Sequence, residues 1–306
     1  MAPAPPSPSG FNAGTAPANG LELAYETIGD PGDPTVLLIM GLGAQLIAWP
    51  DELCSELAAA GHHVVRFDNR DVGLSTHLHH LGAPTSSQIL RHRGHPPYRL
   101  ADMADDAMGL LDHLGVDQAH VVGASMGGFI AQTVALAHPE RVRSLTVFMT
   151  STGSLRVGMP APHILARLAR RRPALGRAEA IEAAVETFRQ VGSPGYPFDA
   201  ERLRQLAARG YDRAYDPGGF QRQAAAIAAQ PDRTAALARL RMPTVVLHGL
   251  ADPLINDSGG RAVARAVPGA RFVGFSGMGH DLPQALWPHF LAEMTAAVAA
   301  GEAAAA

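Results

Sequence analysis

Short runs dominated by apolar residues alternate along this chain with longer stretches in which apolar residues recur every three or four positions. Val36-Leu37-Leu38-Ile39-Met40 is the first such run. An unbroken apolar run bounded by turn residues predicts a strand buried on both faces of a parallel sheet. His63-Val64-Val65-Arg66-Phe67-Asp68, Ala119-His120-Val121-Val122, Leu145-Thr146-Val147-Phe148-Met149, Thr244-Val245-Val246-Leu247-His248 and Arg271-Phe272-Val273-Gly274-Phe275 predict five more strands. Residues 21 to 28 alternate instead, as in a half-buried strand of an early hairpin region. The turn-dense Gly29-Asp30-Pro31-Gly32-Asp33-Pro34 ends that strand.

Between the strands the period changes. Pro50, Asp51 and Glu52 open a helix that Gly61 ends. Met103, Ala107, Leu110, Leu111 and Leu114 share one face of another. Helices are also expected over residues 126 to 137 and 283 to 298. Strands alternating with helices imply crossover units and a mostly parallel sheet flanked by helices, an α/β fold.

Two stretches break the alternation. Residues 76 to 97 are rich in His, Gly and Pro and show no periodicity. Residues 153 to 240 read as helical, without a convincing strand. The simplest organisation is an α/β core of residues 20–152 and 241–300, with residues 153–240 inserted between strands as a helical cap. An insertion at the carboxyl edge of such a sheet lies over the place where ligands bind. The Pro-rich residues 1–19 are expected to form a flexible tail.

Composition narrows the function classes. The net charge of −3 gives no reason to expect nucleic acid or an anionic membrane as partner. Every basic residue is arginine, and the cap carries 14 of them against 8 acids, a formal +6. That excess suggests substrates with an acidic or polyphenolic part; a solvated arginine face accounts for it more simply. The single cysteine, Cys54, excludes an internal disulfide and a cysteine-only zinc site, and reads as a small buried hydrophobe on a helix. No stretch approaches the ~18 consecutive apolar residues of a membrane span. Residues 1 to 10 lack a positive n-region and an apolar h-region, so a soluble cytoplasmic protein is expected. His77, His79, His80, His92 and His95 cluster without a carboxylate-supported helical motif, and neither metal nor cofactor is expected.

Gly123-Ala124-Ser125-Met126-Gly127-Gly128 is the sharpest local signal. It follows a predicted strand and opens a predicted helix, the context that makes G-x-S-x-G a nucleophile elbow. Gly123 and Gly127 are required because side chains two residues either side of a serine on a strained turn would collide. A serine needs a base, and Ser276-Gly277-Met278-Gly279-His280, just past the last predicted strand, places His280 at the same sheet edge. The orienting acid is expected from an earlier strand end, where Gly249-Leu250-Ala251-Asp252-Pro253 supplies Asp252. Asp281 is a poorer candidate because it adjoins the histidine, and Asp257 is a distant second. The two oxyanion donors are expected to be the backbone N–H of Met126 and that of Leu42, in Met40-Gly41-Leu42-Gly43. Asp68, Arg70 and Asp71 form a polar cluster read as structural, with Arg70 pairing to carboxylates.

With these residues in place the chain resembles the α/β-hydrolase superfamily over roughly residues 20 to 300, and more narrowly the aclacinomycin methylesterase-like esterases. Leu38-Ile39-Met40-Gly41, Trp49-Pro50-Asp51, the run from Arg66 through Asp68-Asn69-Arg70-Asp71 to Ser75, Ser125-Met126-Gly127 and Gly277-Met278-Gly279-His280 carry the match. The resemblance implies a cofactor-free serine carboxylesterase with a helical cap, acting on a small-molecule ester, with a homodimer left open. It does not transfer an anthracycline substrate, because the cap and residues 76 to 97 shape the pocket. Many relatives have His-Gly where Met40-Gly41 stands here. Within the same fold, hydrolases of carbon–carbon bonds or enol lactones remain rivals, and a non-catalytic ligand receptor is a third reading.

Overall fold

The computed structural model describes residues 10–91, 95–170 and 176–305. In chain order the elements are β1 (Asn12–Ala18), β2 (Leu21–Ile28), β3 (Thr35–Ile39), α1 (Asp51–Ala59), β4 (His63–Phe67), α2 (Ser86–Arg91), α3 (Leu100–His113), β5 (Ala119–Ala124), α4 (Met126–Ala137) and β6 (Val142–Phe148). Five helices follow: α5 (Pro162–Arg170), α6 (Arg177–Val191), α7 (Ala200–Arg213), α8 (Pro217–Ala228) and α9 (Thr234–Leu237). Then come β7 (Thr244–Gly249), α10 (Ser258–Ala266), β8 (Arg271–Phe275) and α11 (Trp287–Ala305).

All eight strands join one sheet in the order β1-β2-β4-β3-β5-β6-β7-β8. The pairs β1–β2 and β2–β4 are antiparallel and the rest parallel. Every residue of β3, β4, β5 and β7 is buried, so their sequences are rich in apolar residues on both faces, with His63, Arg66, His120 and His248 among the buried polar exceptions. One face packs against Met103, Leu110 and Leu111 of α3, Ile130 and Val134 of α4, and Val263 of α10. The other packs against Leu53 and Leu57 of α1, and Trp287, Phe290 and Met294 of α11. The chain runs from β3 to β4 on one side and returns to β5 on the other. The sheet therefore has its switch point between β3 and β5, whose register pairs Ile39 with Gly123. Open α/β sheets bind ligands at the carboxyl ends beside such a point.

Two expectations are corrected, and one helix was missed. The stretch taken as tail up to residue 19 contains β1; residues 1–9 lie outside the described residues. The strand was hidden because its buried positions are the small Ala16 and Ala18, which carry little apolar signal. Residues 76 to 97 include the short helix α2. Between β7 and β8 lies α10, whose buried face is Gly259, Gly260, Ala262 and Val263, too small for its period to stand out. Among the described residues, no helix is long and apolar enough to cross a membrane.

Candidate active site

Ser125 sits between β5 and α4 with φ 56° and ψ −116°, backbone that a non-glycine residue adopts only where its surroundings enforce it. Its N–H donates to the Phe148 carbonyl at 3.0 Å, and its own carbonyl accepts from Thr150 Oγ1 at 3.0 Å. A Cβ on Gly123 would lie 2.2 Å from the Gly127 oxygen, and one on Gly127 would lie 2.0 Å from the Ile39 oxygen. The turn closes only with glycine at both.

His280 and Asp252 come to the serine from the next strand ends. His280 Nε2 is 3.0 Å from Ser125 Oγ, and His280 Nδ1 is 2.7 Å from Asp252 Oδ2. Asp252 Oδ1 accepts from the N–H groups of Leu254 and Ile255 at 2.8 and 2.9 Å, so the whole carboxylate is oriented. The partners assign the tautomer: Nδ1–H donates to the carboxylate, which leaves Nε2 to accept from the serine hydroxyl. Of the two weaker acid candidates, Asp281 accepts from Ser193 Oγ, and Asp257 pairs with Arg261 at 2.7 Å. Burial raises the Asp281 pKa despite the hydrogen bond from Ser193.

His248, which sequence reasoning passed over, is wholly buried behind the acid, with Nε2 3.7 Å from Asp252 Oδ2. The Nε2–H donates to the Ile255 carbonyl at 2.8 Å, and burial lowers the imidazole pKa. A neutral ring therefore backs the carboxylate.

The loop after β3 lies against the serine: a Cβ built on Gly41 would be 3.6 Å from Ser125 Oγ. In that loop Ala44 N–H donates to the Gly41 carbonyl at 3.2 Å, and Gly43 N–H donates to Gln223 Oε1 at 2.8 Å. The N–H groups of Leu42 and Met126 have no hydrogen-bond partner among the described residues. Met126 also opens α4, where the helix dipole favours negative charge.

The His280 loop is tied to the segment after α6. His280 N–H donates to the Val191 carbonyl at 2.6 Å, and Gly195 N–H to the Gly277 carbonyl at 2.9 Å. Ser193 Oγ takes the Gly279 N–H at 2.9 Å and donates to Asp281. None of this was visible in sequence, since the partners lie more than eighty positions apart.

The Asp68-Arg70-Asp71 cluster forms three ion pairs. Arg70 holds Asp106 through two 2.6 Å hydrogen bonds. Asp68 pairs with Arg213 at 3.1 Å and accepts the N–H of Leu46 and Leu74. Asp71 meets Arg222 in a fork at 2.8 and 2.7 Å. Burial pushes the Asp71 carboxyl up, but the Arg222 fork and the Leu78 N–H outweigh it and hold the pKa below the ordinary carboxylate range. Of the clustered histidines, His77 Nδ1 and His79 Nε2 each lie 3.0 Å from Asp216 Oδ2; His92 is outside the described residues. This acid comes from the start of α8, which sequence proximity could not reveal. Arg222 already lies 3.0 Å from the same oxygen, so a metal ion there would have to displace a guanidinium.

Comparison with known proteins identifies the fold family. The chain is 35% identical over 288 residues to rhodomycin D methylesterase from Streptomyces sp. (strain C5), covering 86% of this chain and 90% of that one. It is 27% identical to 3-oxoadipate enol-lactonase 2 from Acinetobacter baylyi, over 81% of this chain and 82% of the other. Among solved structures, a hydrolase from Pseudomonas aeruginosa PA01 superimposes with a TM-score of 0.67 at 26% identity, over 94% of this chain and 98% of that one. The family model described as alpha/beta hydrolase fold matches residues 34–283. The chain belongs to the α/β hydrolase fold family.

Proposed function

We propose that the protein is a serine carboxylesterase in which Ser125 attacks the ester carbonyl and forms an acyl-enzyme. The observation that carries this reading is the unbroken hydrogen-bond chain from Asp252 through His280 to Ser125 at the switch point of the sheet. His280 takes the Ser125 proton through Nε2 as attack occurs and returns it to the leaving alcohol. Asp252 holds the tautomer and stabilises the imidazolium. The N–H groups of Leu42 and Met126 receive the oxyanion. No cofactor takes part. Residues 153–240 serve as the cap over this site.

Similarity to a methylesterase supports a methyl ester, with methanol as the leaving group. The buried, unpaired Cys54 fits a reducing cytoplasmic setting. Similarity to an enol-lactonase supports a second reading, in which the ester is a lactone ring opened by the same residues.

The test is turnover of p-nitrophenyl esters from acetate to laurate by the wild type and by Ser125→Ala. The wild type is expected to hydrolyse them, and the variant to lose at least about ten-thousandfold in kcat with its fold intact. Activity that survives the substitution defeats the reading. Inert esters together with rapid turnover of an enol lactone would favour the second.

A further inference from the structure

Gln223, in α8 of the cap, is wholly buried, and its amide is committed at both ends to the core. Oε1 accepts from the Gly43 N–H at 2.8 Å, and Nε2 donates to the Arg70 carbonyl at 2.8 Å. Phe220, one turn earlier, packs on the same loop: a Cβ on Gly43, whose φ is +66°, would lie 2.6 Å from its ring. Leu42 is flanked by Gly41 and Gly43, and glycines leave the peptide planes between them free to turn. Three successive N–H groups, those of Leu42, Gly43 and Ala44, compete to be the oxyanion donor. Ala44 is committed to Gly41 and Gly43 to Gln223, which leaves Leu42.

We propose that Gln223 is a positioning residue for ester hydrolysis, fixing the loop after β3 so that the Leu42 N–H is the donor left for the oxyanion. The inference rests on the serine esterase reading. In acylation Ser125 Oγ bonds to the carbonyl carbon, its proton passes to His280 Nε2, and the carbonyl π pair moves onto oxygen. That charge meets fixed dipoles only if the loop cannot turn. A buried amide satisfied at both ends supplies the stiffness, because releasing it would leave the buried Gln223 amide and the buried Arg70 carbonyl without partners.

The experiment compares Gln223→Met and Gln223→Glu on p-nitrophenyl butyrate. Alongside, it measures inhibition by an alkyl trifluoromethyl ketone, which takes up Ser125 as a hemiketal and places the same oxyanion in the same spot. The Met variant keeps the bulk and loses the acceptor. Its kcat is expected to fall about tenfold to a hundredfold with KM within about twofold, while Ki for the ketone rises by the same factor as kcat/KM falls. The Glu variant keeps an acceptor for Gly43 but loses the donor to the Arg70 carbonyl, so it recovers only part of that loss. A residue that merely supported the fold would not move kcat and the ketone Ki together while sparing KM.

Unchanged kcat and Ki in the Met variant overturn the proposal. So does a loss confined to KM. If the Met variant does not fold, Gln223→Asn, which withdraws the amide by one methylene, carries the same expectation on the same constants. Wild-type protein that turns over no ester defeats the esterase reading itself, and this shows before any variant is compared.

Discussion

Every residue of β3, β5 and β7 is buried, whereas α7 in the proposed cap buries none of its fourteen. The strands are held by apolar contact on both faces, and each delivers a residue or loop of the proposed site just past its carboxyl end. The cap reaches the same site through polar side chains: Gln223 on the loop after β3, Arg213 and Arg222 on Asp68 and Asp71, Ser193 on the His280 loop. Its positive surplus is partly spent in this way, since Arg202 and Arg209 also reach across to Glu52 and Asp51 of α1. The excess of arginine in the cap matches carboxylates of the core, which weakens the idea that it exists to choose acidic substrates. Apolar packing builds the scaffold here, and directional polar contacts set how the second layer meets it.

The difference predicts opposite responses to substitution. On the core side, Asp252→Asn keeps the packing but offers an amide to His280 Nδ1 and so disfavours the productive tautomer. We expect kcat to fall about a thousandfold to ten-thousandfold with little change in melting temperature. Steady-state kinetics beside a thermal melt checks this, and a large drop in stability with modest loss of rate would contradict the comparison. On the cap side, Arg222→Met leaves the buried Asp71 carboxylate without its main partner. Breaking such a pair from one side costs about 3–5 kcal/mol, so a fall in stability by chemical denaturation is expected. A variant as stable as wild type would mean that the cap is held by something other than these pairs.

Ser193→Ala is a milder version of the same test. It removes the one hydroxyl that links Gly279 N–H to Asp281 behind the histidine. Leaving two partly buried groups short of a partner costs about 1–3 kcal/mol. Because that cost falls on the loop carrying His280, kcat is expected to drop a few-fold, read against a melt that stays cooperative. Unaltered kcat would show that the loop holds its own shape without the cap.

How much of this was legible follows the same division. Ser125, Asp252 and His280 could be proposed from sequence because each lies just past a segment that reads as a strand, and strand ends on one sheet edge converge. Met126 was proposed from the elbow, and Leu42 from the loop after the first buried strand. Arg70 was read correctly as a carboxylate partner, but Asp106 could not be named. Gln223, Ser193, His248 and Asp216 left no local trace: a glutamine in an alanine-rich helix looks like any solvated polar residue until its partners fold against it. The strand β1 and helix α10 escaped for the opposite reason, their buried faces being glycine and alanine, with Val263 alone in α10, where periodicity needs larger side chains.

The smallest effect expected concerns Asp216, where His77, His79 and Arg222 gather on one oxygen. Burial raises this carboxyl, but the hydrogen bond from His77, the N–H groups of Gly219 and Gly218 and the Arg222 charge outweigh it and hold the pKa at about 2. The unfolded value is about 3.9. A folded pKa below the unfolded one means that ionised Asp216 contributes stability above about pH 4, and that the contribution fades as pH falls through about 2. Asp216→Asn should therefore be less stable than wild type at neutral pH, with the gap narrowing over that acid window. Thermal melts of both proteins at successive pH values test this. A gap independent of pH would mean that the hydrogen bonds of Asp216, and not its charge, fasten α8 to the loop after β4, and the cap would then be held less electrostatically than its arginines suggest.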